Sequence, residues 1–311
     1  MALTRVRKPE SVRDPDRRLW LAATAAGLLR CSGAGSLPAA ARTRDRPVII
    51  AASDSVPFEK IADLIAAFTK QYRLPGISLA MTYGGKLKLV ACHGFSNLEK
   101  KVRLNPGNVF RVASVSKPVT RAALCKLVEN GQLSLQTRVF DNGGPLSQMA
   151  NASRQNDRIN RARIEKITVQ HLLEHTAGGW GIVNDPMFDA RALKLDQRQL
   201  IRWTIDHLPL QSEPGEKYAY SNFGYCLLGR VIELITGTGY ATAVQQLVLR
   251  PAGVKAMAVA RNNPRQRLPR EVMYYQENAD PYGPEMNVHR MDAHGGWVAS
   301  PIDLVRFAVH V

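Results

Sequence analysis

The sequence predicts an α+β fold, and three observations carry that expectation. An amphipathic helical stretch is followed by two β-rich runs with a turn between them. Helical patterns dominate the rest of the chain. No regular strand–helix–strand alternation appears, which argues against a doubly wound parallel sheet. The 311 residues are 45% hydrophobic, enough for a large core in one domain or two subdomains. Charged residues make up 22%, and no long low-complexity tract interrupts the chain, so the composition is that of a globular protein.

Residues 42–55 read as a linker. Phe58, Ile61, Leu64, Ile65, Phe68 and Tyr72 then recur at helical spacing, and Pro75-Gly76 breaks that helix. Ile77 to Thr82 and Leu87 to Ala91 are strand-like, joined by Tyr83-Gly84-Gly85-Lys86, a good hairpin turn. A helix is expected from about Ser114 to Asn130, closed by Gly131, with Val119, Ala123, Leu127 and Val128 as its buried stripe. Residues 141–163 are rich in Asn, Arg, Ser and Gly and read as a surface excursion. Thr168 is placed to cap a short helix through Leu173. Leu200 to Leu208, Asn222 to Thr236 (stopped by Gly237), Ala241 to Leu249 and Pro301 to Val309 complete the helices. Residues 260–290 are expected to be irregular.

The N-terminus is Arg-rich up to Arg18, and an apolar run from Leu19 to Leu29 follows. That run is too short to span a bilayer as a mature helix and has the length of a signal-peptide core. Ala39-Ala40-Ala41 offers a small-residue cleavage site, so residues 1–41 are expected to be a signal peptide and the protein to be exported, periplasmic or extracellular. Arg17-Arg18-Leu19-Trp20-Leu21 resembles a twin-arginine motif, with Asp16 where Ser or Thr is usual.

The formal net charge is +16, six of it within residues 1–46. No basic run is interleaved with aromatics, so a specific nucleic-acid partner is not expected. The cysteines, Cys31, Cys92, Cys125 and Cys226, form no CxxC. The histidines form no HExxH. Neither metal nor cofactor is expected. Cys125 and Cys226 fall in apolar helical patterns and read as buried small hydrophobes.

Two short motifs carry the chemistry. Ser114-Val115-Ser116-Lys117 places an amine three residues after a hydroxyl, on one helix face, so Lys117 can reach Ser114. A serine needs a base to become a nucleophile, and a lysine serves as one when burial or nearby positive charge lowers its pKa. Tyr220-Ser221-Asn222, ahead of an apolar helix, offers a phenol that can take and return a proton and an amide that can orient Lys117 or a substrate.

Together these residues resemble the serine β-lactamase and penicillin-binding protein superfamily, in particular its class C β-lactamase-like members and related serine esterases. The resemblance covers roughly residues 56–311, with the motifs in the right order. Phe110 to Lys117 looks like the nucleophile segment. Leu172-Leu173-Glu174-His175-Thr176-Ala177-Gly178-Gly179 is similar to a structural H-T-S-G turn, which implies a structural His175. Gly295-Gly296-Trp297-Val298-Ala299-Ser300 resembles a G-G-x-x-S segment and its helix. The implied fold is β-lactamase/transpeptidase-like, an antiparallel sheet flanked by helices plus an all-helical subdomain. The implied roles are nucleophile for Ser114, proton transfer for Lys117 and Tyr220, and substrate binding for Asn222. The resemblance also implies a third motif, K-[ST]-G or H-x-G, on a later strand. None follows before Val311, so the domain is expected to be incomplete, with C-terminal strands missing and a hairpin lacking a sheet partner.

The expected function is hydrolysis through an acyl-enzyme of a β-lactam, a D-Ala-D-Ala-type peptide or a small ester. The alternative is a non-catalytic or weakly active binding protein of the same fold. The implied partner is a small-molecule or peptidoglycan-type substrate, with no transmembrane helix in the mature chain.

Overall fold

A computed structural model of the protein describes residues 47–52, 58–152, 157–276, 280–283 and 286–311. All of these fall within one compact unit, Asp45–Val311. The expected signal peptide and Cys31 lie outside the described residues.

Two antiparallel sheets and nine α-helices are seen among the described residues. The first sheet is built on β2 (Gly76–Tyr83) and β3 (Lys86–Asn97), the hairpin expected from Tyr83-Gly84-Gly85-Lys86. It is not the isolated hairpin that the sequence suggested. Within the segment read as a linker, β1 (Val48–Ala52) pairs antiparallel with β3, so β3 is central and carries partners on both sides. The β-branched run Val48-Ile49-Ile50 is the local reason. A short β4 (Val102–Arg103) extends the far end of β3. Helix α1 (Phe58–Gln71) packs against this sheet, as does the last helix described below.

The second sheet has three short strands, β5 (Phe110–Arg111), β6 (Ala258–Val259) and β7 (Trp297–Ala299), in the order β5-β7-β6. Its value is positional, because β5 delivers the chain to Ser114 and β7 holds that delivery in place.

Helix α2 (Ser116–Glu129) buries Val119, Ala123, Leu124 and Leu127. Leu124 lies in the stripe and Val128 at its edge, a one-residue rotation of the expected face. Two short helices fall in or begin within residues 141–163, α3 (Ser147–Asn151) and α4 (Arg158–Glu165). Asp157 caps α4 by accepting from Ile159 and Asn160 N–H groups. Helix α5 (Val169–Leu173) carries the expected Thr168 cap, reciprocated by His171. Helix α6 (Gln197–His207) begins with a second capping box, Asp196 with Gln199.

Helix α7 (Asn222–Thr236) is the hub. Its residues from Asn222 to Ile232 are all buried, and it packs against α2 and α5. Burying side chains such as Phe223, Leu227, Leu228 and Val231 contributes about 1.5–3 kcal/mol each. Gly237 ends it in a left-handed conformation (φ 65°) that glycine adopts without strain. Helix α8 (Tyr240–Val244) continues into a π-helical turn over Gln245–Leu249. Helix α9 (Pro301–His310), capped by Ser300, packs against β2.

Cys226 is buried as expected, but Cys125 is exposed. Its neighbours Ala123 and Leu124 take the inward positions, so Cys125 points to solvent.

A buried polar chain ties these parts together. Trp297 Nε1 donates to Tyr240 Oη (3.0 Å), Tyr240 pairs with Thr120 Oγ1 (2.6 Å), and Thr120 donates to Ala293 O (2.6 Å). Each hydroxyl both donates and accepts, so no hydroxyl of the chain is left unpaired and the bonds offset the cost of desolvation.

Candidate active site

The segment before Ser114 is fixed by β-pairing. Phe110 and Arg111 pair with Ala299 and Val298, and the Val112 N–H donates to Trp297 O (3.0 Å). The chain then turns through Ala113, a non-glycine residue at φ 45°. Such a conformation is disfavoured for a residue with a Cβ and persists only where the surroundings impose it. A single 3₁₀ turn over Ala113–Val115 follows, and α2 begins at Ser116. Ser114 therefore sits in the turn leading into the helix rather than in its first α-helical turn as expected. It is exposed, while Ser116 and Lys117 are buried. Ser116 Oγ accepts from the Trp297 N–H (3.2 Å), which anchors the helix start to β7.

The four candidate residues come together. Lys117 Nζ lies 3.1 Å from Ser114 Oγ, 2.7 Å from Asn222 Oδ1 and 3.1 Å from His294 O. Tyr220 Oη lies 2.8 Å from Ser114 Oγ, to which it donates. Lys117 Nζ also sits 4.7 Å from the centroid of the Tyr220 ring and 5.7 Å from that of Tyr225. Burial lowers the Lys117 pKa to about 8, against the pull of the Asp185 carboxylate, which raises it. At neutral pH roughly a tenth of the lysine is then uncharged, far more than its ordinary pKa would allow.

The geometry also aims the amine. A neutral lysine has two N–H donors and one lone pair. Asn222 Oδ1 and His294 O accept only, so they take the two N–H groups. The remaining direction is toward Ser114 Oγ. The arrangement thus has a hydroxyl with an amine and a phenol within hydrogen-bond reach, the geometry that nucleophilic catalysis requires.

His175 is placed as a support. Its Nδ1 accepts from the Ser221 N–H (3.1 Å), and its ring packs tilted against that of Tyr220, with centroids 4.6 Å apart. It adopts φ 59°, and its carbonyl accepts from the Ala219 N–H (2.7 Å). Burial, with Lys117 adding to it, pushes its pKa down to about 4, so it is neutral at physiological pH. No hydrogen bond joins it to Ser114 among those of the described residues.

Sequence reasoning missed two participants. One is the backbone carbonyl of His294, which no side-chain motif could reveal. A Cβ at Gly296 would collide with the Val288 carbonyl, so a glycine is required for the turn that presents this carbonyl. The other is Asp185, buried beneath Asn222 and accepting from its backbone N–H (3.0 Å) and from Nδ2 (2.9 Å). Asn184-Asp185-Pro186 signals a capped turn in the sequence, and Asp185 does accept from the Met187 N–H (3.0 Å). Nothing local announces a partner 37 residues away.

Among the described residues no cluster of three or more His, Cys, Asp or Glu is placed to hold a metal ion. Nor is any helix among them long and apolar enough to cross a membrane.

Comparison with known proteins bears on the family and the fold. Penicillin-binding protein 4* of Bacillus subtilis is 27% identical over 202 residues, covering 63% of this chain and 40% of that protein. The chain spans about two fifths of the length of the curated relatives it matches. Among solved structures, the octameric penicillin-binding protein homologue from Pyrococcus abyssi superposes with a TM-score of 0.63 at 24% identity, over 82% of this chain and 56% of that one. The D-alanine carboxypeptidase AmpC from Burkholderia cenocepacia gives 0.60 at 21%, over 81% and 63%. The fold is therefore β-lactamase/transpeptidase-like. The Beta-lactamase family description matches residues 61–311, and the chain belongs to that family.

Proposed function

We propose that the chain is a serine hydrolase that works through an acyl-enzyme at Ser114, on a β-lactam, a D-Ala-D-Ala-type peptide or a small ester. One observation carries this reading. The exposed Ser114 Oγ lies within hydrogen-bond distance of both the buried Lys117 amine and the Tyr220 phenol.

Ser114 Oγ attacks the carbonyl carbon and its proton passes to neutral Lys117, directly or through Tyr220. The Ser114 backbone N–H serves as one donor to the oxyanion. As the C–N or C–O bond breaks, the same proton returns to the leaving group. Water then attacks the acyl-enzyme, gives its proton to the base and restores the serine hydroxyl with release of the acid. Asn222 holds Lys117 in place and offers its surroundings to a substrate amide. The family and the carboxypeptidase neighbour support the carbonyl class, and the pocket walls decide among its members. The sequence of residues 1–41 further supports export, with a mature N-terminus near Arg42.

The test is a panel of nitrocefin, a D-Ala-D-Ala peptide and a p-nitrophenyl ester, with a fluorescent penicillin and a fluorophosphonate as covalent probes. Turnover or labelling that disappears in Ser114→Ala supports the reading. Absence of both in the wild-type chain points to a binding protein instead.

A further inference from the structure

We infer that Asp185 is a positioning residue for the base: its carboxylate locks the Asn222 carboxamide in the orientation that turns Oδ1, and not Nδ2, toward Lys117. This rests on the acyl-enzyme reading above and adds to it a residue outside both motifs.

The observation is a double contact. One oxygen of Asp185, Oδ2, accepts from the Asn222 backbone N–H at 3.0 Å and from its Nδ2 at 2.9 Å. The other, Oδ1, accepts from the Met187 N–H at 3.0 Å. A carboxylate only accepts, so the amide face turned toward it must be the NH₂. The opposite face, Oδ1, is then presented to Lys117 Nζ at 2.7 Å. If the amide flipped, an N–H would point at the amine. It would either clash with an ammonium or occupy the lone pair that must take the Ser114 proton. Asp185 and Asn222 are both buried, so water is not at hand to replace either partner.

The same carboxylate sets the field at the amine. The groups facing Lys117 are the rings of Tyr220 and Tyr225, the hydroxyl of Ser114, the amide of Asn222, His294 and His175. The Arg290 charge acts on His294. Both histidines are held neutral by burial. The negative charge that acts on Lys117 comes from Asp185, beneath Asn222.

The experiment compares wild type with Asp185→Asn and Asp185→Ser, the latter keeping a hydroxyl to cap the Met187 N–H while losing reach to Asn222. The first readout needs no turnover. Titration of Lys117 by ¹³C NMR, in protein with labelled lysines, should show its midpoint moving down by roughly a pH unit in both variants. The second is the rate of Ser114 labelling by a fluorophosphonate against pH. Its limb should move with the lysine, and its plateau should fall about tenfold or more. In a double-mutant cycle, Asn222→Ala and Asp185→Ser should be strongly non-additive in that plateau, because one acts through the other. An unmoved lysine midpoint, or additive effects, would overturn the inference. If wild type is never labelled, the acyl-enzyme reading fails, and the NMR titration still decides the role of Asp185. If Asp185→Asn does not fold, the serine variant carries the test.

Discussion

The amine of Lys117 and the hydroxyl of Ser114 are 3.1 Å apart, with the amine buried and the hydroxyl exposed. That asymmetry is what a base and a nucleophile each require. Burial lowers the pKa of the lysine so that the free amine is within reach near neutral pH, and exposure lets the serine meet a substrate.

The first consequence is a pH profile. Acylation of Ser114 should rise with pH and reach its plateau above about 8, where Lys117 loses its proton. Stability should follow a linked course. The native pKa lies below that of the unfolded chain, about 10.4. Below pH 8 both states hold the proton and the buried charge is a full penalty. Between the two values the unfolded state binds more protons, so stability from this group rises with pH. The difference in urea midpoint between wild type and Lys117→Met, followed from pH 7 to 10, should shift in favour of wild type.

Tyr220→Phe removes the 2.8 Å contact to Ser114 but keeps the ring on His175. The rate of acylation or deacylation should fall by about 10²–10⁴, the usual worth of a positioned proton-transfer group. The melting temperature should stay close to wild type. Single-turnover kinetics with a chromogenic ester separates the two steps. Wild-type turnover would move the whole base role to Lys117.

His175→Ala tests support against catalysis. It leaves the buried Ser221 N–H without its acceptor, at a cost of about 1–3 kcal/mol. Ser114 should still be labelled by a fluorophosphonate, at a reduced rate. Complete loss of labelling in a folded variant would put His175 in a triad. In wild type the rate should show no inflection from this residue near pH 6.5, because its pKa is held at about 4.

Away from the chemistry, Arg230 of α7 is buried against Asp292 (2.6 Å), with its Nε 2.9 Å from Glu233. The pair joins the hub helix to the turn that presents the His294 carbonyl. Arg230→Leu strands the Asp292 carboxylate and should cost about 3–5 kcal/mol in denaturant unfolding. Adding Asp292→Asn should recover part of that loss.

The sequence alone determined the motifs and most of the elements. Ser114 and Lys117 three residues apart, Tyr220 and Asn222 before an apolar helix, the Thr168 cap and the Gly237 stop are all local patterns. Local patterns are written in spacing and propensity, so they are legible without a fold. The same logic explains the errors. The strand Val48–Ala52 was hidden in a presumed linker, because its stability comes from pairing with a strand about forty residues away. Cys125 was assigned to the core, because helical periodicity sets the width of a buried face but not its rotation. Asp185 and the His294 carbonyl were out of reach for a related reason. Each acts on a residue 37 or more positions distant, and a backbone carbonyl leaves no mark in residue type. Tertiary structure alone decided that the Lys117 amine is buried, which acceptors claim its N–H groups, and therefore where its lone pair points. Those are properties of the dielectric and of directions in space, and both are set by packing between segments that the chain keeps far apart.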